Sequence, residues 1–307
     1  MKMAVIGCGL IGGSMALSWK RAGIVDEVIA FGHNPATLQK ALDKGAADAV
    51  TTSMEEAVKD ADIVVSAVPV EAMESVFTEM APFLKPDAVV TDVGSTRQTV
   101  IAAARKGLGD KFHQYAPAHP IAGGEMPGVD YASADLFDEK VVISTPDEGM
   151  DPKVVVFMED AWRKAGARVQ TMSPHQHDLT FASVSHLPHV LAYALVDMIA
   201  REENAQEKLK MAGAGFRDFT RIASSSPVMW RDICLSNREA LSHELKRYRT
   251  SLDTLQKYID ESDGKALESV FENAVKNRRG LVEPCFWLRS LRGQPSCRIC
   301  WRPKIRK

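Results

Sequence analysis

A short apolar run, Met3–Ile6, leads directly into Gly7-Cys8-Gly9-Leu10-Ile11-Gly12, and an amphipathic stretch, Ile11–Arg21, follows. Strand, G-x-G-x-x-G and helix in that order constrain the fold more than any other feature of the chain. The first glycine permits a tight turn, the second lets backbone approach a pyrophosphate, and the third allows close helix–strand packing. Amides at the helix start then face the phosphates. The bland alternative is a glycine-rich turn with no ligand; the position at the head of a βαβ pattern argues against it. Gly7, Gly9, Leu10, Ile11 and Gly12 are the expected cofactor contacts, together with Val68 and Pro69 after a later strand.

Short apolar runs then alternate with amphipathic stretches. Strands are expected at Met3–Ile6, Glu27–Phe31, Ile63–Ala67, Ala88–Asp92, Lys140–Ser144 and Arg168–Thr171, and helices between them at Ile11–Arg21, Ala36–Lys44, Ala72–Phe83, Thr96–Lys106 and Pro152–Ala165. That alternation reads as a Rossmann-type, doubly wound parallel sheet. After about Ser173 no strand run occurs. His175–Arg201, Ala205–Met211, Pro227–Leu235 and Arg238–Ile259 read as helices. The last carries Leu241, Leu245, Tyr248, Leu252, Leu255 and Ile259 at spacings of four and three, a narrow apolar seam. Internal packing alone would explain the seam, and a homodimer interface would as well. The expected organisation is an α/β dinucleotide-binding domain over 1–174, an all-α substrate-binding and dimerisation domain over 175–280, and a basic tail over 281–307.

Composition narrows the partners. Of the 307 residues, 45% are hydrophobic and 25% charged, as in an ordinary globular protein. No stretch is expected to approach the roughly 18 apolar residues of a membrane span. Strand pattern from Lys2 onward leaves no room for a signal peptide, so the expected location is the cytoplasm. Residues 281–307 hold seven Lys/Arg and one acid, Glu283, leaving 31 basic and 39 acidic residues in the body. An acidic body argues against nucleic acid as a partner. Cysteines at 8, 234, 285, 297 and 300 form no disulfide pattern. Cys297-Arg298-Ile299-Cys300 has only Cys285 as a further nearby thiol and no tail histidine, so a closed zinc site lacks a ligand and no metal is expected. The tail reads as a disordered or aberrant extension.

Asp or Glu usually ends the second strand of an NAD site and accepts from the ribose. Here that strand ends Ala30-Phe31-Gly32-His33-Asn34-Pro35, with no acid. His33, Asn34, Thr37 and Lys40 could contact a 2′-phosphate, so the reading leans to NADP with NAD usable. Further along, Ala118-His119-Pro120-Ile121-Ala122-Gly123-Gly124-Glu125 reads as a loop that is neither helix nor regular strand. Imidazole titrates near neutrality, so His119 can take a proton while a hydride leaves. Asp92-Val93-Gly94-Ser95-Thr96 lies at the carboxyl end of a strand; Ser95 there is a ligand contact or only an N-cap. The histidines of Ser185-His186-Leu187-Pro188-His189 are site residues or merely polar residues of an interdomain helix. Arg217 and Arg221 share a helix face if that stretch is helical, as a dicarboxylate clamp or as a solvated basic face.

In order, G-C-G-L-I-G-G-S, D-V-G-S, H-P-I-A-G, S-H-L-P-H, and G-F-R-D-F-T-R-I-A-S with P-V-M-W-R-D make the chain resemble the prephenate/arogenate (cyclohexadienyl) dehydrogenase family over about residues 3–280. The resemblance implies oxidative decarboxylation of a cyclohexadienol dicarboxylate with hydride transfer to NAD(P). Prephenate would give 4-hydroxyphenylpyruvate, and arogenate would give tyrosine. It implies His119 as hydrogen-bond acceptor or base at the ring hydroxyl and Ser95 as a second contact there. Arg221 matches the residue that binds the ring carboxylate, and Arg217 a basic residue near the entrance. Trp230 matches an aromatic position lining the pocket, His189 a second polar position, and Glu125 an acidic position at the entrance. Many members have threonine where this chain has Gly124, which bears on substrate preference rather than on the reaction. Two competing readings are a β-hydroxyacid dehydrogenase or pyrroline-carboxylate reductase type of enzyme and a non-catalytic NAD(P)-binding protein. The former would rely on a helix lysine, and His175–Arg201 contains none.

Overall fold

The computed structural model describes residues 1–124 and 126–280. Five strands, β1 (Lys2–Ile6), β2 (Glu27–Phe31), β3 (Ala49–Thr51), β4 (Ile63–Ser66) and β5 (Val89–Asp92), form one sheet in the order β3-β2-β1-β4-β5. All of its pairings are parallel. The winding reverses between β1 and β4, which makes their carboxyl ends the ligand-binding crevice of such a sheet. Met3, Ala4, Val5 and Ile6 are fully buried, as are Ile63, Val64 and Val65. Helices cover both faces, so these strands read as unbroken apolar runs rather than alternating ones.

A second sheet, of β6 (Ala118–Pro120), β7 (Val141–Ser144) and β8 (Arg168–Thr171), has the order β6-β7-β8, with β7-β8 parallel and β6-β7 antiparallel. This corrects two expectations. The parallel sheet does not extend through the last strands, and His119 lies on a strand rather than in a loop. Pro120 is tolerated because β6 is an edge strand, where a missing N–H breaks no ladder. The two sheets are linked where Ala116 N donates to Val90 O at 2.8 Å. Trp19 of the helix Leu10–Arg21 and Trp162 of the helix Pro152–Lys164 meet edge to face at 5.5 Å, with Phe137 5.0 Å from Trp162.

From Pro174 the chain is helical. Pro174–Phe181, a π-helical turn Ala182–His186 and Leu187–Ala200 form one continuous run. Helices Ala205–Lys210, Ala214–Thr220, Pro227–Ser236, Arg238–Asp260 and Gly264–Gly280 follow. The chain divides into two compact units, Met1–Leu245 and a second beginning at Lys246. One further expectation is corrected here. Pro174–Ala200, at 27 residues, is long and apolar enough to cross a membrane by length and composition alone. Its scattered histidines and serines hide this in the sequence, but Leu, Ala, Val, Ile and Met after His186 carry the average. The same run buries His177, Asp178 and His186 with polar partners, which is how a folded interior is wired.

Candidate active site

The cradle at the end of β1 is built from backbone. Gly7 has φ of +92°, and a Cβ on it would lie 2.7 Å from Ala67 O and 3.1 Å from Val68 Cγ1, at the end of β4. A Cβ on Gly12 would lie 2.6 Å from Gly7 O. Only glycine fits either position. Gly9, by contrast, faces open space with no atom within 4 Å of a built Cβ. It precedes the helix Leu10–Arg21, whose start has no side-chain cap. The opening and the uncapped amides of the Leu10-Ile11-Gly12 turn together fit a pyrophosphate. Pro69, exposed, begins the turn after Val68.

At the end of β2, His33 and Asn34 are both exposed. Asn34 Oδ1 accepts from Ala36 N at 2.9 Å and Thr37 N at 3.4 Å, so it caps the helix Pro35–Asp43. Lys40 Nζ is 2.6 Å from Asp130 Oδ2, and Lys44 Nζ donates to Asp130 O at 3.0 Å. The single cation among the residues expected at a 2′-phosphate is thus already paired with a carboxylate.

The catalytic side is built from side chains of several elements. Asp92 ends β5 and is fully buried beside fully buried Arg97, with Arg97 Nη2 to Asp92 Oδ1 at 2.6 Å. Asp92 also accepts from Gly94 N at 2.7 Å and from the Tyr115 hydroxyl. Burial, then Asp92, pushes that phenol well above its usual pKa, so it stays a donor. Arg97 Nη1 donates to Ala118 O at 3.1 Å, tying the loop of Ser95 to the strand of His119. A Cβ on Gly94 would lie 2.9 Å from Asp92 Oδ1, so the loop is closely packed there. Ser95 is half-buried and caps nothing. The following helix starts only at Gln98, and its first amides go to Asp178, which overturns the N-cap reading of Ser95.

His119, half-buried, has Nδ1 2.8 Å from Nε2 of His177, whose own Nδ1 is 2.9 Å from Asp178 Oδ1. Phe181 stacks on His177 at 4.4 Å and lies 5.0 Å from His119. Asp178 Oδ1 accepts from Arg97 N at 2.8 Å, and Oδ2 from Gln98 N at 2.9 Å. Burial, then the neighbouring His177, Arg97 and His186, holds the His119 pKa well below the usual imidazole value, so the ring is neutral at neutral pH. Burial lowers His177 as well, against the pull of Asp178. The Asp178 carboxyl is opposed by burial but lies below its usual value, through His177 and the two backbone amides. His186, pushed down to about 4 by burial, lies 3.1 Å from Asn237 Nδ2.

Beside this cluster a cavity of about 420 Å³ is lined by Gly123, Gly124, His189, Arg221, Ile222, Ser224 and Ser225. His189 Nδ1 donates to Ser185 O at 2.9 Å, and the ring stacks on Trp230 at 3.6 Å. The Trp230 indole N–H is buried without a partner among the described residues. The Tyr193 hydroxyl donates to Ser225 O at 2.7 Å and holds the cavity wall. A Cβ on Gly124 would lie 3.3 Å from Leu10 Cδ2, so the cavity loop rests against the start of the cofactor helix.

His189, Arg221 and Trp230 are thus brought together, and His119 lies on the strand that leads into their loop. Arg217 is not with them. The helix Ala214–Thr220 ends before Arg221, which opens a 3₁₀ turn into the cavity, and Arg217 stays exposed on the helix. Arg217 is not among the residues that line the cavity. Glu125 and the tail 281–307 lie outside the described residues. Sequence reasoning missed Arg97, His177 and Asp178 as site residues. Arg97, five residues after Asp92 in a glycine turn, left a local trace; His177 and Asp178 left none, because their partners are 58 and 81 residues away.

The nucleotide-binding-domain model of the prephenate dehydrogenase family matches residues 15–171, beginning after the glycine loop, and its dimerization-domain model matches residues 173–273. The cyclohexadienyl dehydrogenase of Zymomonas mobilis is 36% identical over 281 residues, covering 91% of this chain and 95% of that protein. The prephenate dehydrogenase of Bacillus subtilis is 35% identical over 277 residues, covering 90% and 74%. The crystal structure of prephenate dehydrogenase from Aquifex aeolicus, in complex with hydroxyphenyl propionate and NAD+, superposes with a TM-score of 0.84 at 35% identity, covering 91% of this chain and 98% of that one. The chain belongs to the prephenate dehydrogenase family.

Proposed function

We propose that this chain is a dehydrogenase that oxidatively decarboxylates prephenate, arogenate or both, with NAD(P) as hydride acceptor, in the making of tyrosine. The observation that carries the reading is a neutral His119 whose strand runs into a cationic, Arg221-lined cavity resting on the cofactor helix. Nicotinamide, when bound, supplies the hydride acceptor. His119 accepts the proton of the ring hydroxyl as that carbon becomes a carbonyl, and Ser95 donates to the same oxygen. Arg221 binds the ring carboxylate, with His189 and the Trp230 indole as further polar contacts. Loss of that carboxylate as carbon dioxide leaves its electron pair in the ring. The ring aromatises, and the carbonyl oxygen recovers a proton from His119 as phenol. Gly7, Gly9, Leu10, Ile11, Gly12, Val68 and Pro69 hold the pyrophosphate side of the cofactor, and His33 and Asn34 the adenosine end. Arg217 is a further basic contact near the cavity entrance in this reading.

Cofactor preference is modest in this reading. No acid ends β2, so a 2′-phosphate is not repelled. Lys40, the cation that would favour it, is paired with Asp130, but the pair is exposed and weak enough to exchange. NADP is accepted alongside NAD, with less than about tenfold discrimination, or about 1.4 kcal/mol. Dimerisation runs through the C-terminal helices. Leu267, Phe271 and Val275 form an apolar groove on Gly264–Gly280, and Val184 and Met198 are exposed on the run from Pro174.

Cofactor reduction measured with prephenate and with arogenate, each with NAD and NADP, tests the reading. Reduction with at least one acid is expected. Cofactor binding without reduction by either acid would overturn it. Light scattering of the full chain should give twice the chain mass.

A further inference from the structure

We propose that His177 and Asp178 are positioning residues that fix the ring tautomer of His119, leaving its Nε2 lone pair for the substrate hydroxyl. The inference rests on the reading above for what His119 accepts, but the wiring follows from this chain's own geometry.

The argument starts at Asp178. Its ionised carboxylate can only accept hydrogen bonds. It lies 2.9 Å from His177 Nδ1, so that nitrogen carries the hydrogen. In a neutral imidazole the other nitrogen is then an acceptor. His177 Nε2, the acceptor, lies 2.8 Å from His119 Nδ1, so His119 donates there and carries its hydrogen on Nδ1. Its Nε2 is left bare. Each step has one solution, and the direction of the chain is set by one buried charge.

Two further observations support the assignment. Phe181 stacks on His177 and touches His119, which restricts both rings. Asp178 also binds Arg97 N, Gln98 N and Gln98 Nε2, the last at 3.3 Å. The carboxylate that orients His119 therefore also anchors the start of the helix after Ser95. Asn237 Nδ2 donates to Asp178 O at 2.8 Å and holds the residue from the other side.

The test has a readout that needs no turnover. Ring nitrogen NMR of the full chain should show His119 with its hydrogen on Nδ1. In His177→Leu the two tautomers should mix, and kcat should fall about 10²-fold with KM and cofactor affinity within about twofold. His177→Gln keeps an acceptor toward His119 and a donor toward Asp178, and should recover about tenfold of the loss. Hydrogen on Nε2 of His119 in the wild type would overturn the proposal, as would equal activity of the Leu and Gln variants. A wild type that reduces no cofactor with either acid would sink the functional reading instead, and the ring spectrum would still decide the tautomer.

Discussion

The two sides of the candidate site are made of different material. The cofactor side is backbone: Gly7, Gly9 and Gly12, six residues of contiguous chain, with an uncapped helix start. The substrate side is side chains from the β5 loop, β6, the run from Pro174, the turn at Arg221 and the helix Pro227–Ser236. Backbone sites are specified by local conformation and tolerate no Cβ where the chain passes close. Side-chain sites are specified by packing across long separations and can lose a group without losing the fold. The two sides should therefore fail differently when mutated.

The largest effects belong to the substrate side. His119→Asn should cost about 10² to 10⁴ in kcat with substrate affinity little changed, because a proton acceptor is lost from the chemistry alone. The melting temperature should stay put, since His119 is half-buried at a sheet edge. In the wild type the acid limb of kcat should lie below the ordinary imidazole range. Burial and then His177 lower the His119 pKa, so protonation inactivates only at lower pH. An unchanged kcat in the variant would remove His119 from the mechanism.

Arg97→Met asks the opposite question of the same region. Removing one partner of the fully buried Asp92–Arg97 pair strands a carboxylate and should cost about 3–5 kcal/mol in unfolding free energy, read by denaturant titration. A loss under about 1 kcal/mol would mean that the loop of Ser95 is not anchored this way. Arg221→Ala should spare the fold and weaken substrate binding by about 2–4 kcal/mol, because a carboxylate is left unpaired. Equal loss with Arg217→Ala would make the two arginines a joint clamp, although only Arg221 lines the cavity.

Gly9→Ala sharpens the backbone side. The new methyl meets no protein atom within 4 Å, so stability should hold while cofactor affinity falls about tenfold or more. Gly7→Ala should lose both, because its φ is +92° and the methyl would lie 2.7 Å from Ala67 O. Identical behaviour of the two variants would erase the distinction.

The same difference explains what the sequence could reveal. β1, β2, β4 and the glycine loop were legible because buried parallel strands are continuous apolar runs and the loop needs its glycines in fixed order. β3 and β6 were not: Ala49–Thr51 and Ala118–Pro120 are three residues each, and Pro120 argues for a loop unless the strand is known to be an edge. His119, Arg221 and Trp230 were found through ordered motifs. The His119–His177–Asp178 chain was not, because no local pattern distinguishes a histidine facing another histidine 58 residues away.

The smallest expected effect lies where the two sides touch. Gly124 lines the substrate cavity and packs against Leu10 at the cofactor helix. A threonine Cβ there would lie 3.3 Å from Leu10 Cδ2, the far end of a flexible side chain that can give by a few tenths of an ångström. Gly124→Thr should therefore change stability by less than about 1 kcal/mol. Its hydroxyl adds one hydrogen-bonding group to a cavity that already holds Arg221, His189 and two serines. One such bond is worth about 0.5–1.5 kcal/mol, so the KM for prephenate or arogenate should move about two- to tenfold, with kcat unchanged. Steady-state kinetics with both acids would show which is favoured. A kcat loss as large as that of His119→Asn would break the comparison, because a three-atom side chain added to a backbone wall would then control the chemistry as strongly as the base itself.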